Sequence, residues 1–138
     1  MNGQMMAKAA NWVPTVEQFW QRSLALYQQP GQQQRLLDAQ DSHGENVNLN
    51  LLVMVLAAEQ APLSNAEYTQ LKLDVDTFSR DHTQPLRALR RQLSDSDALP
   101  EKSRQQLKSQ LLAAELTLEA QEQALLIERL QHLRQGGC

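Results

Sequence analysis

The stretch that decides the fold is Val47-Asn48-Leu49-Asn50-Leu51-Leu52-Val53-Met54-Val55-Leu56-Ala57-Ala58. Its apolar side chains occupy nearly the whole circumference of a helix from about residue 48 to about residue 60, and such a helix is buried on several sides. It is too short to span a bilayer and contains Asn48 and Asn50. Val53 and Val55 would also suit a strand, but no partner strand is visible. We therefore predict a buried central helix.

Helical patterns lie on both sides of this segment. Apolar residues recur at 3.6-residue spacing, and Thr15–Gln18 and Ser64–Glu67 have the spacing of capping boxes that open helices. Pro30-Gly31, Gly44 and Pro62 interrupt the pattern. The predicted flanking helices cover about residues 16–29, 32–42, 64–80, 85–93 and 100–135.

These segments together predict the fold class and the domain organisation. We expect an all-α, single bundle-like domain of about six helices over residues 14–135. Residues 1–13 are predicted to be a flexible lead-in, and residues 136–138 a flexible tail that ends in the one cysteine, Cys138.

The long C-terminal helix, about 100–135, carries two adjacent apolar stripes. The stripes consist of Leu107, Leu111, Ala114, Leu118 and Leu125, and of Leu112, Leu116, Leu126, Leu130 and Leu133. A helix of this length measures about 50 Å, whereas a domain of this size is only about 30 Å across. The helix is therefore expected to bend or to overhang, and an overhanging apolar helix favours a protein partner or self-association.

Composition narrows the class of protein. Apolar residues make up 41% of the chain and charged residues 21%, which is typical of a globular domain. The net charge of −3 argues against a general nucleic-acid-binding protein. The first 13 residues lack the long apolar run of a signal peptide, and no membrane-spanning segment is visible, so we expect a cytoplasmic protein.

Polar residues concentrate at the junction between the second and third predicted helices, residues 40–48. Asp41, His43 and Asn48 lie there. Trp20 and Tyr27 on the first helix are interpreted either as core anchors or as candidate partners for lining a pocket. The junction is interpreted in two ways: Asp41, Asn46 or Asn48 caps a helix end, or the cluster binds a ligand. The three histidines are scattered, so we predict neither a metal site nor a cofactor.

Arg87, Arg90 and Arg91 crowd two turns of the fifth predicted helix. Three arginines at this spacing can grip a phosphate or an acidic partner. The nearby Asp81, Asp95 and Asp97 favour the alternative, a solvated face with local ion pairs.

Several strings resemble a family of short proteobacterial proteins classed as a domain of unknown function. They are Phe19-Trp20, Ser23-Leu24-Ala25-Leu26-Tyr27, Pro30-Gly31, Leu37, Gln40-Asp41, Gly44, Val47-Asn48 and Pro85-Leu86-Arg87-Ala88-Leu89-Arg90-Arg91. The resemblance covers about residues 19–56 and 85–93 and leaves the C-terminal helix out. It implies a bacterial helical protein without an established activity.

Two functional hypotheses follow. The leading one is a non-catalytic adaptor or regulator that self-associates or docks a partner through the C-terminal helix, because recognisable catalytic motifs are missing. The alternative is a small-molecule-binding domain or an undetected enzyme, with a polar site formed by the junction, Trp20, Tyr27 and the arginines. A polar-lined cavity joining these residues would favour the alternative, and a solid core would favour the adaptor.

Overall fold

A computed structural model describes residues 9–136. The described chain is all-α, as predicted, and contains no strand. It comprises α1 (Val16–Tyr27), α2 (Gln32–His43), α3 (Val47–Ala58), α4 (Asn65–Phe78), a π turn (Ser79–Thr83), α5 (Gln84–Ser94) and α6 (Glu101–Gln135). Residues 1–8 of the predicted lead-in, and residues 137–138 with Cys138, lie outside the described residues.

The helix starts follow the capping signals of the sequence. The side chains of Thr15 and Ser64 each accept a hydrogen bond from the backbone N–H three residues later. In turn, the side chains of Gln18 and Glu67 accept from the backbone N–H of Thr15 and of Ser64, so both capping boxes are confirmed. Gly44 ends α2 with φ of 65°, a left-handed conformation that glycine adopts without a steric penalty. Because these local signals act within a few residues, the sequence alone was sufficient to find them.

The α3 helix is the buried centre of the fold. Its buried apolar side chains face the other helices on several sides: Leu49, Leu51, Leu52, Val55 and Leu56. They form one core with Phe19, Leu71 and Val75 from α1 and α4. The prediction of a central helix is thus confirmed, with bounds of Val47–Ala58 instead of about 48–60.

The predicted break between the fourth and fifth helices is wrong. The π turn joins α4 to α5, so the chain runs helically from Asn65 to Ser94, and the described residues form five helical rods instead of six. In a regular α-helix the ring of Pro85 would meet the carbonyl four residues earlier. The wider turn, in which the Gln84 N–H donates to the Ser79 carbonyl, lets the helix continue.

The α6 helix spans 35 residues and packs against α1, α3, α4, α5 and the π turn. Near its C-terminus, Leu126, Ile127 and Leu130 join the core. The Arg134 side chain, 3% exposed, donates to the Trp12 carbonyl at 2.6 Å and pairs with Glu67 at 2.9 Å. The part of α6 nearer its N-terminus packs against α5, so the part that was expected to overhang the domain contacts another helix of the same chain.

Candidate functional site

A cleft of about 1160 Å³ lies between α5 and α6 on one side and α1 and the α2–α3 junction on the other. We call it the cleft; its floor is formed by polar residues of α3 and α6 and its mouth by leucines of α1 and α6. Residues far apart in the sequence, from Trp20 to Gln123, meet in its lining.

The cleft brings together seven of the eight residues that the sequence singled out as candidate binding residues. The seven are Trp20, Tyr27, Asp41, Asn48, Arg87, Arg90 and Arg91. The eighth, His43, is the last residue of α2, is exposed and does not line the cleft. The structure therefore brings these seven residues together, while their role in binding stays a prediction.

A buried carboxylate, Glu122, organises the floor. It is 2% exposed, and its Oε1 accepts hydrogen bonds from Asn46 Nδ2 at 3.0 Å and Asn48 Nδ2 at 3.1 Å. Its Oε2 accepts from the hydroxyl of Thr83, in the π turn, at 2.6 Å. All three donors are neutral, and Glu122 makes no ion pair with any described residue. A buried charge with neutral partners alone is costly to keep.

Gln123 extends this network toward α1. Its Nε2 donates to Ser23 Oγ at 3.1 Å and to Asn48 Oδ1 at 3.0 Å. Asn48 fixes this orientation, because its Nδ2 also donates to the Glu119 carbonyl at 3.3 Å, an atom that can only accept. The Asn48 Oδ1 therefore faces Gln123, and the Gln123 Oε1, though buried, has no donor among the described residues.

The capping interpretation of residues 40–48 holds for Asn46 alone. The Asn46 side chain accepts from the Leu49 N–H at 2.9 Å and so caps α3. Asn48 lies inside the first turn, where its side chain serves the Glu122 network. Asp41 lies exposed in the last turn of α2 and caps no helix start. For Asp41 and Asn48 the capping prediction is therefore wrong.

The arginine pair of α5 faces inward. Arg90 donates to both oxygens of the buried Glu115, from Nε and from Nη2, and Arg87 Nε lies 3.6 Å from the same carboxylate. The two arginine side chains are each 18% exposed. The solvated-face interpretation is thus wrong for Arg87 and Arg90, because the partner is a glutamate on α6 instead of a nearby aspartate. Arg91 is exposed at the edge of the cleft.

Glu119 and Tyr27 are the titratable groups whose pKa values the cleft perturbs. Burial raises the pKa of the Glu119 carboxyl, the Arg87 guanidinium opposes this shift, and repulsion from Glu122 and Glu115 adds to it. Burial also raises the pKa of the Tyr27 phenol, and the negative charge of Glu119 raises it further. Tyr27 therefore stays a neutral hydrogen-bonding group near neutral pH.

Apolar side chains border this polar floor. Leu24, Leu112 and Leu116 all line the cleft and are 42%, 43% and 52% exposed. The half-buried Trp20 lines it as well. The cleft thus offers polar groups at depth and apolar surface toward solvent.

Sequence reasoning missed the α6 residues of the floor: Glu115, Glu119, Glu122 and Gln123. Their signal was present, because positions 115, 119, 122, 126 and 130 share one face of a helix. The apolar end of this face indicated burial, but the prediction did not extend it to the glutamates. A carboxylate aligned with a buried apolar stripe is the feature that would have found them.

Clusters of metal-ligating side chains and membrane-spanning helices are both absent from the part of the chain from residue 9 to residue 136. No group of three or more His, Cys, Asp or Glu side chains converges there in a way that would hold a metal ion. None of the helices in the same residues combines the length and hydrophobicity needed to cross a lipid bilayer.

A comparison with known protein families identifies the family of this chain. The family model described as "Protein of unknown function (DUF2390)" matches residues 18–126, so the chain belongs to this family. The match confirms the resemblance to a domain of unknown function and extends it into α6, which the quoted strings had left out. Searches of curated proteins and of solved structures found no match.

Proposed function

We propose that this member of the family binds a small organic molecule in the cleft. The observation that carries the proposal is the convergence of Trp20, Tyr27, Asn48 and the α5 arginines on one open cavity with a polar floor. Ligand sites are typically concave, have volumes of roughly 300–1,000 Å³ and combine apolar walls with a few placed polar groups. The cleft has the same character and, at about 1160 Å³, a slightly larger volume.

The buried network supports this proposal. A core built for stability alone would use apolar side chains at the depth of Glu115, Glu122 and Gln123, because buried polar groups cost free energy unless fully paired. Sites that depart from this rule are most often functional. The floor residues are held by contacts from α3, α5 and the π turn, so their positions are fixed before a ligand arrives.

The adaptor hypothesis stays a prediction, with less support than the sequence suggested. Its premise was an α6 that overhangs the domain, yet α5 accompanies the N-terminal part of that helix. The exposed Leu112 and Leu116 belong to the mouth of the cleft, where a ligand would cover them. A cytoplasmic location, a bacterial source and a protein partner likewise stay predictions from the sequence.

Tryptophan fluorescence offers a test. The chain has two tryptophans, of which Trp20 lines the cleft and Trp12 does not. In the Trp12→Phe variant, Trp20 is the sole reporter, and titration with a panel of small amphipathic compounds should change its emission in a saturable way. The same compounds should raise the melting temperature.

A matched pair of variants locates the effect. Ala88→Phe adds a ring within the cleft lining, whereas Ala113→Phe adds the same ring to an exposed position of α6 outside it. We expect Ala88→Phe to abolish the saturable change and Ala113→Phe to preserve it. Equal behaviour of the two variants would contradict binding in the cleft, as would a panel without any saturable response.

A further inference from the structure

The charges on the floor of the cleft do not balance. Three carboxylates of α6, from Glu115, Glu119 and Glu122, face two guanidinium groups of α5, from Arg87 and Arg90. Both arginines pair with Glu115, and Arg87 Nη2 lies 3.9 Å from Glu119. Glu122 has neutral donors only, so one carboxylate in this group lacks a cation.

The same excess holds for the rest of the lining. Asp76 pairs with Lys72 at 2.7 Å, and Arg80 lies 3.6 Å from Asp81, so these two lining charges are compensated by residues outside the cleft. The other charged residues of the lining are two carboxylates, Asp41 and Glu45, and one guanidinium group, Arg91. The cleft is therefore negative overall, and it would attract a cation more readily than an anion.

A second observation, independent of charge, also indicates a donor. Gln123 is 2% exposed and lines the cleft, and its Oε1 has no hydrogen-bond partner among the described residues. Asn48 fixes the orientation of this amide, because turning it over would lose the hydrogen bond to Asn48 Oδ1 and set two acceptor oxygens against each other. A buried acceptor without a donor destabilises the fold, because its desolvation is not compensated. A ligand that brings N–H groups into the floor relieves this cost.

The aromatic and apolar residues of the cleft indicate what else such a ligand would carry besides its N–H groups. Trp20 and Tyr27 provide aromatic rings, and the face of an aromatic ring attracts an organic cation. Leu24, Leu112 and Leu116 provide exposed apolar surface at the mouth. A molecule with one cationic end and one apolar end matches both parts of the cleft.

We infer that the cleft takes an amphipathic organic amine, with the ammonium group at Glu119 and Glu122 and the apolar part against the leucines of the mouth. This inference rests on the proposed function and names its ligand class. A bound ammonium also offsets the repulsion among Glu115, Glu119 and Glu122, which contributes to the raised pKa of Glu119. Arg91, exposed and without an ion pair among the described residues, is the feature that would instead favour an anion.

Three probes of equal chain length separate these possibilities. Octylammonium chloride, 1-octanol and sodium octanoate differ only in the charge and hydrogen bonding of the head group. With the full chain carrying Trp12→Phe, we expect octylammonium to bind at least about tenfold more tightly than either of the others, as the Trp20 emission reports. Tighter binding of octanoate would overturn the inference and indicate an anion site at Arg91.

Charge variants connect the preference to the floor. Glu119→Gln should reduce octylammonium affinity about tenfold and leave octanol affinity unchanged, while Glu128→Gln, at an exposed position of α6 outside the cleft, should change neither. An ammonium preference that survives Glu119→Gln would contradict the assignment. If all three probes bind equally well, the amine inference fails but ligand binding stands. If none of the panel binds, the proposed function fails with it.

Discussion

The buried face of α6 has two halves that are equally buried but chemically opposite, a polar one at residues 115–123 and an apolar one at residues 126–130. The C-terminal half presents Leu126, Ile127 and Leu130 to the core, and the middle presents Glu115, Glu122 and Gln123 on the same face of the same helix. The face of the helix on which a residue lies therefore decides whether it is buried. The element packed against that residue decides whether a polar or an apolar side chain is found there. Near its C-terminus the helix packs on the apolar core, whereas in its middle it meets the arginines of α5, the Thr83 hydroxyl and the Asn48 amide.

The difference separates a part of the molecule that stabilises the fold from a part that forms the cleft. Apolar burial contributes roughly 25 cal/mol per Å² and leaves no polar atom in need of a partner. The polar half pays for its position, since Glu122 is desolvated and the Gln123 Oε1 is unpaired. Removing an apolar side chain from the apolar half should accordingly lower the stability of the fold, and removing a charge from the polar half should raise it.

The largest effect should come from the apolar half. Leu126→Ala removes a fully buried side chain from the core and leaves a cavity, so the free energy of unfolding should fall by about 2–5 kcal/mol. Leu116→Ala, on the same helix but 52% exposed, is the matched control and should change it by less than about 0.5 kcal/mol. Urea denaturation measures both. Similar losses in the two variants would mean that the halves do not differ as described.

The second effect concerns the ion pair that ties α6 to the start of α4. A hydrogen bond from Arg134 lowers the pKa of Glu67, and the Ser64 N–H and hydroxyl add to this shift. Glu67 therefore contributes stability above its unfolded pKa, and this contribution is lost as the pH falls through the folded pKa. We expect Glu67→Gln to lower the free energy of unfolding by about 1–2 kcal/mol at pH 7. The deficit should shrink toward acidic pH in urea titrations, and a deficit independent of pH would contradict the charge-based account.

A gain in stability is predicted in the polar half. Glu122→Gln removes the desolvated charge, while the amide oxygen still accepts from Asn46 and Asn48 and the amide nitrogen donates to the Thr83 hydroxyl. The free energy of unfolding should rise by about 1 kcal/mol. Glu122→Ala, which strips these donors of their acceptor, should instead lower it by about 2 kcal/mol. A loss in the Gln variant as large as in the Ala variant would show that the negative charge itself stabilises the fold.

The smallest effect on stability is expected at Glu119, whose pKa is shifted in the opposite direction to that of Glu67. Because the folded pKa of Glu119 is raised, its favourable contribution is present below the unfolded pKa and lost as the pH rises through the folded pKa. Glu119→Gln should therefore gain about 0.5 kcal/mol at pH 7, a small figure because the side chain is partly exposed, and nothing at acidic pH. Thermal melts across pH, with Glu128→Gln as control, measure the difference. A loss at pH 7 would contradict the prediction.

The sequence predicted the apolar part of this architecture because its signals are local. The central helix is apolar over nearly its whole circumference, and the capping residues of α1 and α4 act over three positions. Pro85 was misleading, since a proline normally marks a helix start and the π turn that accommodates it leaves no pattern of its own.

The site was predictable in location and less so in structure. Trp20, Tyr27 and the α5 arginines stood out by residue type, and the fold brought them together. The partners of Arg87 and Arg90 lie about 25 positions away on α6, a pairing that no local spacing reveals. His43 was included because it stands beside Asp41 in the sequence, but as the last residue of α2 it lies outside the cleft.

The most direct test of the ligand site is a titration with octylammonium chloride in which the backbone amide NMR signals are recorded. Shifts are expected in the cleft, at residues such as Tyr27, Ala88 and Glu119, and they should saturate together with the Trp20 emission. Leu126 and Leu130, in the apolar half of α6, should shift little. Saturable shifts centred on the apolar half, or no saturable shift at the cleft residues, would contradict the claim that the polar half of α6 forms a ligand site.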